Sequence, residues 1–138
     1  MKLVLTQKEV INLNTVLDNG ASHSDGSDLI FLGKVRDISR GKKVTHIDYD
    51  IYNEMALREL NKIADEASAN HELNRIIIIH RYGRVMLGET SIMILVSSPH
   101  RDSSYQASRY IIDEIKKRVP IWKNEFYDDG SEWISDRS

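Results

Sequence analysis

"LNRIIIIHRYGRVMLGETSIMILVS", residues 73–97, holds two apolar runs separated by a corner that two glycines bracket. The first run carries four consecutive isoleucines, Ile76 to Ile79. β-Branched side chains favour extended backbone, and so short an apolar run without alternation reads as a buried strand. Residues 73–82 are therefore a predicted strand, and residues 90–97, TSIMILVS, are another. Gly83 and Gly88 mark a turn or bulged corner between them.

Upstream of that pair, residues 28–36, DLIFLGKVR, begin apolar on both faces and end in alternation. Lys34 and Arg36 fall on one side of this strand, Gly33 and Val35 on the other. Residues 37–43 form a polar loop containing Gly41, and the alternating residues 44–52 are a further strand. Asn53 is positioned to cap a helix over 54–69, where Leu57, Leu60, Ala64 and Ala67 recur at helical spacing. Near the start, residues 3–5 fit a short strand. Thr6 and Glu9 have capping-box spacing, which predicts a helix running to about Leu17. Residues 18–27, DNGASHSDGS, are a connection rich in turn formers. Downstream, Asp102 or Ser103 opens a helix that ends near Arg118, because Pro120 disfavours helical geometry before it. Residues 121–127 and 132–134 flank Asp128-Asp129-Gly130 and predict a hairpin. Strands and helices are mixed without strict βαβ order, so the expected class is α+β with a largely antiparallel sheet.

The chain has 138 residues, which suits one domain spanning 1–138. It contains no cysteine, so disulfides, thiolate metal ligands and cysteine nucleophiles are excluded. Its histidines, at 23, 46, 71, 80 and 100, lack metal-ligand spacing. Glycine-rich nucleotide loops and a Gly-x-Ser-x-Gly nucleophile motif are also missing. No apolar run approaches the ~20 residues of a membrane span, and MKLVLTQKEV is too short in apolar residues for a signal peptide. A cytoplasmic location is expected. A net charge of −2 and a pI near 6.2 argue against general nucleic-acid binding.

Against that acidic balance, residues 116–125, KKRVPIWKNE, gather Lys116, Lys117, Arg118 and Lys123 at one bend. Ile111, Ile112, Ile115 and Val119 make one apolar helix face. Lys117 points away from it into solvent, while Lys116 and Arg118 flank it. Two readings remain open for Lys116: a basic helix end complementing the macrodipole, or an ammonium directed into a cleft beside a returning Lys123. Trp122 is expected to be a packing anchor. SSPHR, residues 97–101, precedes a helix start whose free N–H groups suit an anion, with His100 and Arg101 as added donors; an ordinary polar connection is the alternative. Arg36 at its strand end can clamp phosphate or carboxylate; an ordinary surface ion pair is the alternative. His80 follows a buried strand and reads as a satisfied core histidine.

Taken in order, FLGKVR, HRYGRVMLGE, SSPHRDSSYQAS, IDEIKKRVPIWKNE and DGSEW resemble the large, catalytic subunit of molybdopterin synthase, over residues 28 to 133. The resemblance implies an α/β hammerhead with an antiparallel β subdomain. It implies molybdenum cofactor biosynthesis: cyclic pyranopterin monophosphate (precursor Z) becomes molybdopterin by gaining two sulfurs. Those sulfurs arrive on a small ubiquitin-like subunit ending in a Gly-Gly thiocarboxylate. Two large subunits would form the homodimer core of a heterotetramer. The family's functional lysines fall on Lys116 and Lys123, its pocket arginine on Arg36, and its His-Arg pair on His100 and Arg101. A further arginine, which the family can contribute from the other protomer, falls on Arg137. Asp37 and Asp50 depart from the family's usual asparagine and glutamate, and neither position is among the implied catalytic residues. Both substrates are anions, which accounts for local cations in an acidic chain. The alternative function is a non-catalytic module that docks the small subunit; a single-stranded nucleic-acid binder stacking bases on Trp122, Tyr105 and Tyr110 is more distant.

Overall fold

Four isoleucines in a row put two apolar side chains on each face of a strand, and both faces must be covered. The computed structural model, which describes residues 1–135, meets that demand with helices on both sides of one sheet. The chain runs β1 (Lys2–Gln7), α1 (Leu13–Asp18), β2 (Ser27–Lys34), β3 (Ile38–Ser39), β4 (Lys42–Ile51) and α2 (Asn53–Asn70). It continues through β5 (Arg75–Arg81), β6 (Gly83–Met86), β7 (Thr90–Ser98), α3 (Arg101–Arg118), β8 (Ile121–Tyr127) and β9 (Glu132–Ser135).

The first sheet has the order β1-β5-β7-β2, with β1 parallel to β5 and the other pairs antiparallel. Ile76 and Ile78 face α2 and α3, joining Leu60, Ile63, Ile111 and Ile115 in the larger core. Ile77 and Ile79 face the other way, with Met93 and Leu95, under Leu13, Val16 and Leu17 of α1. Helix α3 turns Ser104, Ala107 and Ser108 inward before Ile111 and Ile115, so its first turns lie close to the sheet. The second sheet is antiparallel, in the order β3-β4-β8-β9, with β6 also pairing β4. The α+β class and the antiparallel subdomain expected from the sequence are both present. No helix among the described residues is long and apolar enough to cross a membrane.

Three local expectations are corrected. The predicted helix beginning at Thr6 does not form there. β1 extends through Gln7 because its parallel ladder with β5 continues to Arg81, and the helix starts at Leu13 with Asn12 Oδ1 accepting the Thr15 N–H at 3.2 Å. Asn53 does not cap α2; that position is Tyr52, and Asn53 instead accepts the Thr6 hydroxyl. The loop over 37–43 is a hairpin in which β3 pairs with β4 around Arg40 and Gly41, both at positive φ. Two consecutive left-handed residues match the twist of a two-residue hairpin, but only the glycine advertises it. The corner between Gly83 and Gly88 likewise contains β6, a full strand of the second sheet.

Three arginines hold the layers together. Arg118, at the end of α3, reaches Glu66 at 2.6 Å and Glu59 and Glu114 at 3.3 Å, tying α3 to α2. Arg81 donates to the Lys8 carbonyl at 3.0 and 3.1 Å and so anchors the segment after β1. Arg75 is buried at 1% exposure. It donates to the carbonyls of Leu17 and Asn19 at 2.7 Å, to Ser97 Oγ at 3.0 Å and to Asp28 at 3.3 Å. One guanidinium thus terminates α1 and fastens it to the sheet. Arg75→Met leaves those acceptors without a donor, and should lower unfolding free energy by about 2–4 kcal/mol in urea titrations. A loss below half a kilocalorie would show that α1 is held by its apolar face alone.

Candidate active site

Helix α3 and strand β8 are joined by Val119 and Pro120, and this abrupt reversal builds the site. Ile115 and Ile121 are buried on either side of the bend, which fixes both elements against the core. Ile112 and Lys116 lie one helical turn apart and share a face, so the lysine follows the isoleucine over the sheet. Lys123, two residues into β8, pairs across to Tyr49 of β4 and returns toward Lys116. Between them opens a cavity of about 220 Å3. Lys34, the last residue of β2, and Arg36, two residues beyond it, line its other side.

The cavity therefore holds four cations, Lys34, Arg36, Lys116 and Lys123, against one carboxylate, Glu125. Glu125 is buried and accepts the hydroxyls of Ser39 and Tyr127, each at 2.9 Å. Its other oxygen stands 3.8 Å from the Lys123 ammonium, which orients that lysine without cancelling the surplus. Arg36 has no ion pair or hydrogen bond among the described residues, so its fork is available to a ligand. Lys116 is exposed as a residue, yet the protein around it takes the ammonium partly out of water. That desolvation lowers its pKa, and the positive charge of Lys123 lowers it further.

Beneath the cations the groups are neutral. His80 is pushed down to about 4, chiefly by burial, with a smaller contribution from the charge on Lys116. Its Nδ1 is 2.7 Å from the Arg81 carbonyl, and its ring meets Tyr49 edge-on at 5.4 Å. Burial raises the Tyr49 hydroxyl, keeping it protonated. The expectation of a satisfied core histidine holds. Tyr49 and Lys123 also line a second, larger cavity of about 960 Å3 on the open side of β4 and β8. Trp122 and Tyr52 form part of its wall. Trp122 is thus not the packing anchor the sequence suggested: it is 37% exposed, because alternation along β8 gives the core to Ile121 and turns the indole outward.

The MoaE protein family model matches residues 6–118. A molybdopterin synthase catalytic subunit from Pyrococcus abyssi is 41% identical over 134 residues, covering 96% of this chain and 90% of that protein. One from Dictyostelium discoideum is 42% identical over 127 residues, covering 91% and 80%. Among solved structures, molybdopterin synthase from Staphylococcus aureus superposes with a TM-score of 0.87 at 31% identity, over 94% of both chains. The chain belongs to the molybdopterin synthase catalytic-subunit family.

One cavity brings together the two lysines and the arginine named from the sequence. The basic stretch at the bend divides. Lys116 and Lys123 enter the cavity, Lys117 pairs with Glu114 at 3.3 Å on the surface, and Arg118 is consumed by its three glutamates. His100 and Arg101 are elsewhere. They line a separate cleft with Gly26 and Pro99 at the start of α3. Fifteen helical residues separate Arg101 from Lys116, about 22 Å along the axis. Arg137 lies outside the described residues. Lys34, Tyr49 and Glu125 were not singled out from the sequence. Only Lys34 left a signal there, in sharing the parity of Arg36. Among the described residues no group of three or more histidines and carboxylates could hold a metal ion.

The pairing of Lys116 with Lys123 has a measurable consequence. Removing a neighbouring cation makes protonation easier, so Lys123→Ala should raise the Lys116 pKa. It should stay below the ordinary lysine value, because burial persists. NMR titration of reductively 13C-methylated protein reads both. An unchanged Lys116 titration in the variant would mean that the two ammonium groups do not sense each other.

Proposed function

We propose that this chain converts cyclic pyranopterin monophosphate into molybdopterin, taking two sulfurs in turn from the thiocarboxylated C-terminus of a small ubiquitin-like subunit. The observation that carries this reading is the convergence of Arg36, Lys116 and Lys123 on one cationic cavity in a chain of net charge −2. Both reactants are anionic at the positions that react, and a preorganised cation cluster binds them and stabilises charge as it moves. Arg36 offers a fork to the phosphate. Lys116, its pKa lowered, can give and take a proton near neutral pH more readily than an ordinary lysine. Lys123 stands between the two cavities, where a substrate in one and a carrier tail in the other would meet.

In each round the sulfur of the thiocarboxylate bonds to a substrate carbon and a carbon–oxygen bond there breaks, the phosphate oxygen leaving in one round and water in the other, which forms a thioester to the carrier. Water then cleaves the acyl–sulfur bond, leaving sulfur on the pterin side chain and a carboxylate on the carrier. A second carrier repeats the transfer. The nucleophile belongs to the carrier, in keeping with a chain that has no cysteine. We take residues 1–138 to act as one domain, in the cytoplasm.

His100 and Arg101 cannot reach Lys116 of their own chain across about 22 Å of helix. We assign them to the substrate site of a second copy, and extend that assignment to Arg137. The homodimer would then be required for the site, and with a carrier on each copy the assembly is a heterotetramer. Two experiments test the reading. With carrier and cyclic pyranopterin monophosphate supplied, Lys116→Ala should lower dithiolene formation by roughly 100-fold or more. Undiminished turnover, or none in the wild type, would leave a docking module. Reassembled mixtures of Lys116→Ala and His100→Ala chains should recover about a quarter of wild-type activity, because half the dimers then contain one intact site. No recovery would confine each site to one chain.

A further inference from the structure

The register of β2 against β7 slips at one point. Gly33 opposes Ile92, but Lys34 opposes Thr90, leaving Ser91 as an extra residue. Such a bulge sharpens the twist and redirects the side chains that follow. Strict alternation would put Phe31 on one face and Lys34 with Arg36 on the other, yet all three line the same cavity. A glycine at the slip avoids a clash: a Cβ on Gly33 would stand 2.6 Å from Ile92 Cγ2, which would have to shift. The bulge therefore delivers two cations to the site. Lys34 is exposed and, like Arg36, has no ion pair or hydrogen bond among the described residues.

We propose that Lys34 is a fourth binding cation of this cavity, set to hold the substrate's phosphate after its ring has opened. The inference rests on the function proposed above and adds a residue to it. The cyclic phosphate is a diester with one negative charge. When the thiocarboxylate sulfur bonds to carbon, the carbon–oxygen bond to the phosphate breaks and its electron pair stays on the phosphate oxygen. The charge brought by sulfur thus ends on a phosphate monoester, a dianion above its second pKa of ≈ 6. Net charge is unchanged, but it is concentrated beside Arg36 and Lys34. A cation that meets the second charge favours the opened state over the bound substrate, which accelerates the step rather than tightening the ground state.

Two anions separate these states: inorganic phosphate at pH 8, mostly dianionic, and dimethyl phosphate, a monoanionic diester. Calorimetric titration of the purified chain at low salt should show Lys34→Met weakening phosphate at least fivefold and dimethyl phosphate less than twofold. Lys34→Arg should retain phosphate affinity, and thermal midpoints should be unchanged. In the complete enzyme Lys34→Met should lower kcat with little change in KM for the pterin. Equal loss for both anions would make Lys34 a general attractor and overturn the assignment. No loss for either, with Arg36→Ala still weakening both, would remove Lys34 while leaving the cavity's anion site intact. Failure of phosphate to bind the wild type would overturn the anion site and Lys34 together.

Discussion

The burial of Ile76 to Ile79 from both sides is the constraint from which the remaining structure follows. A strand with apolar residues on each face cannot lie at a surface, so β5 takes an interior place in its sheet. Its two faces then need separate covers. Helices α2 and α3 supply one and the short α1 the other. The ends of the strand are polar, and each ends in an arginine that ties down a neighbouring segment: Arg75 the end of α1, Arg81 the connection after β1. Once α3 is fixed against the sheet and α2, the bend at Pro120 turns the chain and β8 returns along β4.

That bend accounts for cations of opposite fates within a few residues. Arg118 sits on the α2 side of its helix and finds three carboxylates, a saturated structural clamp. Lys116, two residues earlier and so about 200° around the helix, enters a cavity with three further cations and one carboxylate, itself already shared by two hydroxyls. Like charges held this close oppose folding. The fold tolerates them because the cavity remains open to water and because the apolar stems of Ile112 and Ile115 fix α3 independently of them.

Much of this was legible in the sequence, and the failures have physical causes. The strands at 73–97, both long helices and the final hairpin follow from apolar period and from Pro120. Strand β6 hid between two glycines because four residues are too few to display alternation. The N-terminal helix was misplaced because Thr6 and Glu9 satisfy a local capping rule that a long-range ladder overrides. Trp122 was read as core because aromatic residues usually are, whereas its strand parity points outward. For the site, periodicity alone left Lys116 between a helix-end charge and a ligand. The motif set named Arg36 and Lys123 as its companions, and all three line one cavity. His100 and Arg101 line a separate cleft at the far end of α3, because motif order along a chain carries no distance between its parts.

Tyr49 and Lys123 form a wall with a cavity on each side. A partition made of two side chains transmits what happens on one side to the other. An occupant of the larger groove that drew the Lys123 ammonium toward itself would change the field in the smaller one, so ligands in the two cavities would be energetically linked without touching. Affinity for either ligand is then a property of the pair, and the two sites are not free to diverge separately over evolutionary time. A change at Lys123 that refines one pocket is tested at once by the other, whereas Lys34, Arg36, Trp122 and Tyr52, each on a single side, can drift alone.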